Sequence, residues 1–283
     1  MSKESNNKND IIKYRNLYML EIIFNTMTKH INQNTLSIII KNLTDTTNMV
    51  SIVLYCDNLK VDLLEKFINK LKEKNISISI TIVDDLNIEK ISKFKDRINQ
   101  FRFQIKNITK EDIKFIYNTL KTETNDLIFI KNLKDISGFR GIKDIIKETN
   151  FIFNICIDNS IEMIDYWKLA KELSELKEKY PLQVLQDMPC AGIKYKNLKG
   201  ICPSYICLMC IDMDGFARLC YKSEPNKKYN INDFSLKEIF EKLYLDYIPE
   251  VNCKEFKECF GGCPINKNNI CNKYCYKLKG GDL

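Results

Sequence analysis

Ten of the chain's twelve cysteines lie between Cys190 and Cys275, and only Cys56 and Cys156 precede them. Beyond Pro249 the chain carries almost no periodic apolar pattern. Segments of that kind hold together around ligands or cross-links, because they cannot bury enough apolar surface to close a core. The densest stretch, CKEFKECFGGCPIN from Cys253 to Asn266, adds Gly261 and Gly262, which let the backbone approach a partner closely. Pro264 then stops the loop from continuing as a helix or strand. Disulfides, zinc and iron–sulfur clusters could each use such a loop.

The cellular compartment narrows that choice. The first residues, MSKESNNKND, are polar and lack the apolar core of a secretory signal. No stretch approaches the roughly 18 apolar residues of a membrane span. These features predict a cytoplasmic protein, where the thiol pool keeps cysteines reduced. Metal or cluster ligation is then the natural reading of the ten cysteines. Zinc stays open because Cys207 and Cys210 form a C-x-x-C knuckle. Cys56 and Cys156 sit in apolar runs and read as small packed hydrophobes.

With 45% apolar and 29% charged residues, the chain has the composition of an ordinary globular protein. Its net charge of +7 is spread along the chain and mixed with acids, without a dense Lys/Arg run. Neither nucleic acid nor a membrane is expected as a partner.

The first 189 residues alternate strand and helix signals. LSIII (Leu36–Ile40), SIVLYC (Ser51–Cys56), ISISITIV, FRFQI, DLIFI, FIFNICI and LQVL read as strands. Between them, Leu64, Phe67, Ile68 and Leu71 recur at helical spacing, as do Ile113, Ile116, Tyr117 and Leu120. A further helix is predicted on Ile161, Ile164 and Leu173, and an earlier one on Leu17, Ile23, Phe24 and Met27 ending near His30. Such alternation predicts an α/β fold, a parallel sheet covered by helices and curled into a partial (β/α) barrel. GFRG at Gly138–Gly141 lacks the Gly-Lys-Ser/Thr ending of a phosphate loop and reads as a turn. The lone His30 leaves no partner for a cysteine nucleophile, which argues against a Cys–His hydrolase.

The last 94 residues differ. Around CLMCIDMDGFARLC, two short strands flank Asp214-Gly215, a dipeptide favoured in hairpin turns. A helix is predicted on Ser235–Leu245, with Ser235 as N-cap and Glu238 completing a capping box.

Twelve residues separate Cys202 from Gly215, and four more separate Gly215 from Cys220. Cys253, Cys259 and Cys263 follow with five and three residues between them. These spacings resemble the signature of the SPASM domain, the iron–sulfur extension of many radical SAM peptide-modifying enzymes. One departure is Glu250, which stands where the signature has a cysteine. The resemblance implies two [4Fe–4S] clusters. One would take Cys202, Cys220, Cys263 and Cys207, with Cys190 and Cys210 as substitutes. The other would take Cys253, Cys259 and Cys275, completed by Cys271 or Glu250. It also implies a domain boundary, with a degenerate radical SAM-like barrel over 1–189 and the cluster domain over 190–283.

Two SAM-handling elements of that family are missing. No C-x-x-x-C-x-x-C triplet precedes Cys190, and YCDN (Tyr55–Asn58) stands where Gly-Gly-Glu-Pro would follow the second strand. S-adenosylmethionine is therefore not an expected cofactor. The resemblance implies an iron–sulfur protein of ribosomal-peptide maturation that relays electrons or orders a substrate. Its partners would be a precursor peptide or a partner modification enzyme. Two alternatives remain: a zinc-stabilised peptide- or protein-binding module without a redox role, and an enzyme using one cluster as a Lewis acid.

Overall fold

A computed structural model describes residues 16–24, 33–43, 47–55, 61–83, 88–105, 109–149, 151–157, 161–184, 194–198 and 207–246. In chain order the elements are β1 (Met19–Phe24), α1 (Gln33–Asn42), β2 (Met49–Leu54), α2 (Val61–Glu73), β3 (Ser77–Ile82), α3 (Ile88–Ser92), β4 (Gln100–Ile105) and α4 (Lys110–Leu120). They continue with β5 (Asp126–Leu133), α5 (Ile136–Glu148), β6 (Ile152–Ile157), α6 (Met163–Lys177), β7 (Leu182–Val184), β8 (Leu208–Asp212), β9 (Phe216–Arg218), β10 (Asn226–Asn230) and α7 (Leu236–Leu245). The protein is thus α/β, with mostly parallel strands alternating with helices.

Two compact units share these elements. The first combines Met1–Gln104, Ile108–Leu127 and Pro203–Tyr247, and the second combines Ile105–Asn107, Ile128–Cys202 and Ile248–Leu283. Strands of the first unit run in the order β10-β9-β8-β1-β2-β3-β4. Strand β1 lies parallel to β2, with Glu21 opposite Ser51, and parallel to β8, with Glu21 opposite Cys210. Across β2, β3 and β4, Ser51 faces Ser79 and Ser79 faces Gln100.

Alternation along these strands makes two unlike faces. Leu20, Ile22, Phe24, Val50, Ile52, Ile78, Ile80, Phe101, Met209 and Ile211 form one, and all are buried. Helix α2 turns Leu64, Phe67, Ile68 and Leu71 inward, as its period predicts, and the Phe67 ring lies 6.1 Å from that of Phe24. The other face carries Glu21, Ser51, Ser79, Thr81 and Asp212, polar yet also buried.

Several sequence expectations are overturned. Leu17–Met27, expected to be helical, holds strand β1. Buried on both faces and polar only at Glu21, β1 shows no alternation, and short apolar runs of that kind do not distinguish strand from helix by period. Leu36–Ile40, expected as a strand, lies in α1, which buries Leu36 and Ile39, three residues apart, and exposes Ser37 and Lys41. The first strand is therefore β1, and the residues after it, NTMTKHIN at 25–32, hold no cysteine. His30 and those residues lie outside the described ones. GFRG is not a turn but part of α5, whose N-cap Asp135 accepts a hydrogen bond from the Gly138 N–H at 2.8 Å. Ile164, expected on the inner side of α6, is 65% exposed.

In the second unit, β5, β6 and β7 are parallel neighbours. Cys156 packs there with Ile128 and Ile130, as its apolar setting predicts. Asn197 is held to α6 by two bonds with Ser174, at 2.7 and 2.8 Å.

The hairpin around Asp214-Gly215 forms as expected, with β8 and β9 antiparallel and Cys210 opposite Arg218. Gly215 has φ +86°, and a Cβ there would stand 3.0 Å from Asn230 Oδ1 and 3.1 Å from Ile231. Helix α7 opens on the predicted capping box: the Ser235 N–H donates to Glu238 Oε2 at 2.9 Å and the Glu238 N–H to Ser235 Oγ at 3.3 Å. The Ser235 N–H and hydroxyl, both donating to Glu238 Oε2, hold its carboxyl below the usual glutamate range.

Substituting Gly215→Ala should destabilise the protein by about 1–2 kcal/mol, the cost of a left-handed L-residue, as read by urea unfolding. Glu238→Gln should destabilise only where the carboxylate is charged. Because the folded pKa is depressed, the difference from wild type should be full above the ordinary glutamate range. It should fade as pH falls through the lower folded value, as unfolding curves at several pH values would show.

Candidate cysteine site on the polar sheet face

The polar face is built from register. One row across β8, β1, β2, β3 and β4 reads Cys210, Glu21, Ser51, Ser79, Gln100, and the next reads Asp212, Ile23, Val53, Thr81, Arg102. Buried polar groups need partners, and most here have them. Ser51 Oγ and Thr81 Oγ1 lie 3.2 Å apart. Asp212 Oδ1 accepts the N–H groups of Asp214 and Phe216 at 3.1 and 2.9 Å, while its Oδ2 meets Arg218 Nη2 at 3.1 Å. One carboxylate thereby closes the hairpin turn and neutralises the guanidinium beside it. Ser79 Oγ, Arg102 Nε and Arg218 Nε are buried without a hydrogen-bond partner among the described residues.

Glu21 is 2% exposed. Burial pushes its carboxyl above the usual range, opposed by Arg102, by the Tyr221 N–H and by Lys222. Its Oε2 accepts the Tyr221 N–H at 3.0 Å, and the Tyr55 hydroxyl donates to the Tyr221 carbonyl at 3.1 Å. Burial also pushes the Tyr55 hydroxyl well above the ordinary tyrosine range, so it remains a donor. Between Cys220 and Ser223 the chain makes a tight turn. The Ser223 N–H donates to the Cys220 carbonyl at 3.1 Å, and Ser223 Oγ accepts from the Cys220 N–H at 3.3 Å. Arg218 Nη1 donates to the Ser223 carbonyl at 3.1 Å.

Three of the cysteines named from spacing lie among the described residues. Cys207 stands immediately before β8 and Cys220 just beyond β9, and both are half-buried. The Cys207 carbonyl accepts the N–H groups of Tyr18 and Met19 at 3.0 and 2.9 Å, which ties it to the start of β1. Cys210 is fully buried and packs with Ile23, Val53 and Val83, beside Tyr55 and Tyr221. Burial pushes the Cys207 thiol up and the Cys210 thiol well up; Glu21 reinforces the latter. The remaining candidates, Cys190, Cys202, Glu250, Cys253, Cys259, Cys263, Cys271 and Cys275, lie outside the described residues. Among the described residues, no group of three or more His, Cys, Asp or Glu side chains is placed to hold a metal ion. Cys207 and Cys220 are thus only half-buried, whereas Cys210 has the surroundings of a packed hydrophobe.

Spacing arguments did not reach Glu21, Tyr55, Asp212 or Arg218. Asp212 was within the hairpin sequence IDMDG. Glu21 carried a signal too, as the lone carboxylate in the apolar run MLEIIF, but that segment read as helix.

No described helix is long and apolar enough to cross a membrane. No family model and no curated protein matches the chain. Among solved structures it is similar to SuiB of Streptococcus suis, with a TM-score of 0.57 and 13% identity, over 88% of this chain and 73% of that one. Looser likenesses are to 3-dehydroquinate dehydratase of Aquifex aeolicus (TM-score 0.42, 10% identity, 80% of this chain and 99% of that one) and to the tryptophan synthase alpha chain of Legionella pneumophila (0.40, 9%, 89% and 100%). At that identity the likeness to SuiB establishes a shared fold.

Asp212→Ala should destabilise the protein by about 3 kcal/mol, since it strands Arg218 and leaves two turn N–H groups without their acceptor. Asp212→Asn, which keeps an oxygen, should cost less in the same urea titration.

Proposed function

We propose that this is an iron–sulfur protein of ribosomal-peptide maturation, resembling SPASM-domain proteins and without SAM cleavage of its own. The observation that carries the reading is the β8–β9 hairpin with its left-handed Gly215, flanked by the half-buried Cys207 and Cys220. That hairpin stands where the cysteine spacing resembles the SPASM signature.

Cys207 and Cys220 would hold one [4Fe–4S] cluster together with Cys202 and Cys263. Cys253, Cys259, Cys271 and Cys275 would hold a second. When bound, such clusters supply one-electron transfer at potentials set by their surroundings. The chain's own residues do the positioning: Asp212 and Arg218 close the hairpin, and the Ser223 turn fixes the backbone at Cys220. The strand–helix alternation of the first 189 residues is compatible with a partial barrel, which would bind the precursor peptide or a partner enzyme.

Anaerobic purification followed by iron, sulfide and zinc analysis tests this reading. About eight iron and eight sulfide per chain, with a broad absorption near 400 nm, is the expected result. Cys220→Ala should lower iron to about four per chain, as one cluster is lost and the other kept. Zinc without sulfide would overturn the reading in favour of a structural binding module.

A further inference from the structure

The turn after β9 is held to β1 and to the end of β2 through the backbone of one residue, Tyr221. Tyr221 gives its N–H to Glu21 Oε2 at 3.0 Å and receives the Tyr55 hydroxyl on its carbonyl at 3.1 Å. Glu21 belongs to β1 and Tyr55 directly follows β2, so both anchors come from adjacent strands about 170 to 200 residues earlier in the chain. The Tyr221 N–H belongs to the peptide that joins it to Cys220 and its carbonyl to the next one, so holding both restrains the Cα–Cβ direction of the cysteine. The bonds within the turn, from Ser223 to Cys220 and from Arg218 to Ser223, shape the turn itself. The Arg218 bond ties the turn to β9, and Glu21 and Tyr55 tie it to β1 and to the end of β2.

A carboxylate 2% exposed between Cys210 on β8 and Ser51 on β2 is costly to bury unless it has partners. A carboxylate adds an acceptor aimed at the Tyr221 N–H, with a bond that a charged or strongly polarised oxygen makes stronger. The Tyr55 ring meanwhile packs against the Ile23–Val53–Val83–Cys210 cluster, so its hydroxyl reaches the turn from a buried base.

We propose that Glu21 and Tyr55 are positioning residues: together they clamp the backbone of Tyr221, one peptide unit each, and thereby set the placement of the Cys220 thiol. Its role in ligation rests on the iron–sulfur reading above, but the clamp itself does not. Strands β1 and β2 thus govern a thiol that the cysteine-rich segment contributes.

The test uses the full chain, with Glu21→Leu, Glu21→Gln and Tyr55→Phe variants. After removal of bound metal with chelator, iodoacetamide labelling of Cys220 and of Cys156 is followed by peptide mass spectrometry. Glu21→Leu and Tyr55→Phe should each speed Cys220 labelling at least about fivefold, as loss of one anchoring hydrogen bond implies. Labelling of Cys156, buried in the second unit, should not change, and Glu21→Gln, which keeps an acceptor oxygen, should stay near wild type. In the proteins as isolated, the first two variants should also alter the electron-paramagnetic resonance of one reduced cluster. Unchanged Cys220 labelling in both variants would overturn the clamp, and so would a parallel rise at Cys156, which would mean general loosening. A wild-type protein without iron would sink the cluster reading alone, because the labelling ratio decides the clamp regardless.

Discussion

Strand β1 is hydrogen-bonded along both edges, to β2 from Met19 to Phe24 and to β8 from Met19 to Ile23. The second pairing joins residues almost 190 positions apart, and the described part of the candidate site depends on it. Register is the reason. A slip of one residue would exchange the two faces of β1, sending Glu21 among the helices and Ile22 onto the polar side. With the observed register, Cys210 stands beside Glu21 and Asp212 beside Ile23. The β8–β9 hairpin, its Asp212–Arg218 pair and the Ser223 turn are then carried into place as one piece.

The two faces of that sheet are stabilised differently. On the helix side, burial of aliphatic and aromatic side chains does the work, each fully buried Leu, Ile or Phe contributing roughly 1.5–3 kcal/mol. The polar side contributes little net stability, since each buried oxygen or nitrogen exchanges water for a protein partner. What it gives is geometry. Asp212 satisfies three donors, and Glu21 holds a peptide. A face that spends stability on fixed polar geometry is characteristic of sites rather than of cores.

Much of the α/β alternation was legible in the chain because amphipathic helices and turns announce themselves locally. Helix α2 shows its buried stripe in the spacing of Leu64, Phe67, Ile68 and Leu71, and Gly215 marks the hairpin because few other residues take a left-handed conformation. The errors fell where local signals are weakest. Strand β1 is apolar on both sides but for Glu21, and α1 presents three consecutive isoleucines that read as a strand. In each case tertiary burial overrode what period and propensity suggest.

For the site, the sequence by itself determined the ligand-type residues and their spacing: the cysteines, the Asp-Gly turn and the capping box at Ser235 are all local in the chain. Only the tertiary structure decided how the described cysteines are buried. Cys207 and Cys210 are three residues apart, yet one is half-buried at the start of a strand and the other is sealed among Ile23, Val53 and Val83. Only the tertiary structure, too, brought Glu21 and Tyr55 to the backbone of Tyr221, beside Cys220. The physical reason is the same for both. Burial and hydrogen bonding at this place are set by strands distant in sequence, and a parallel pairing leaves no local trace of its partner.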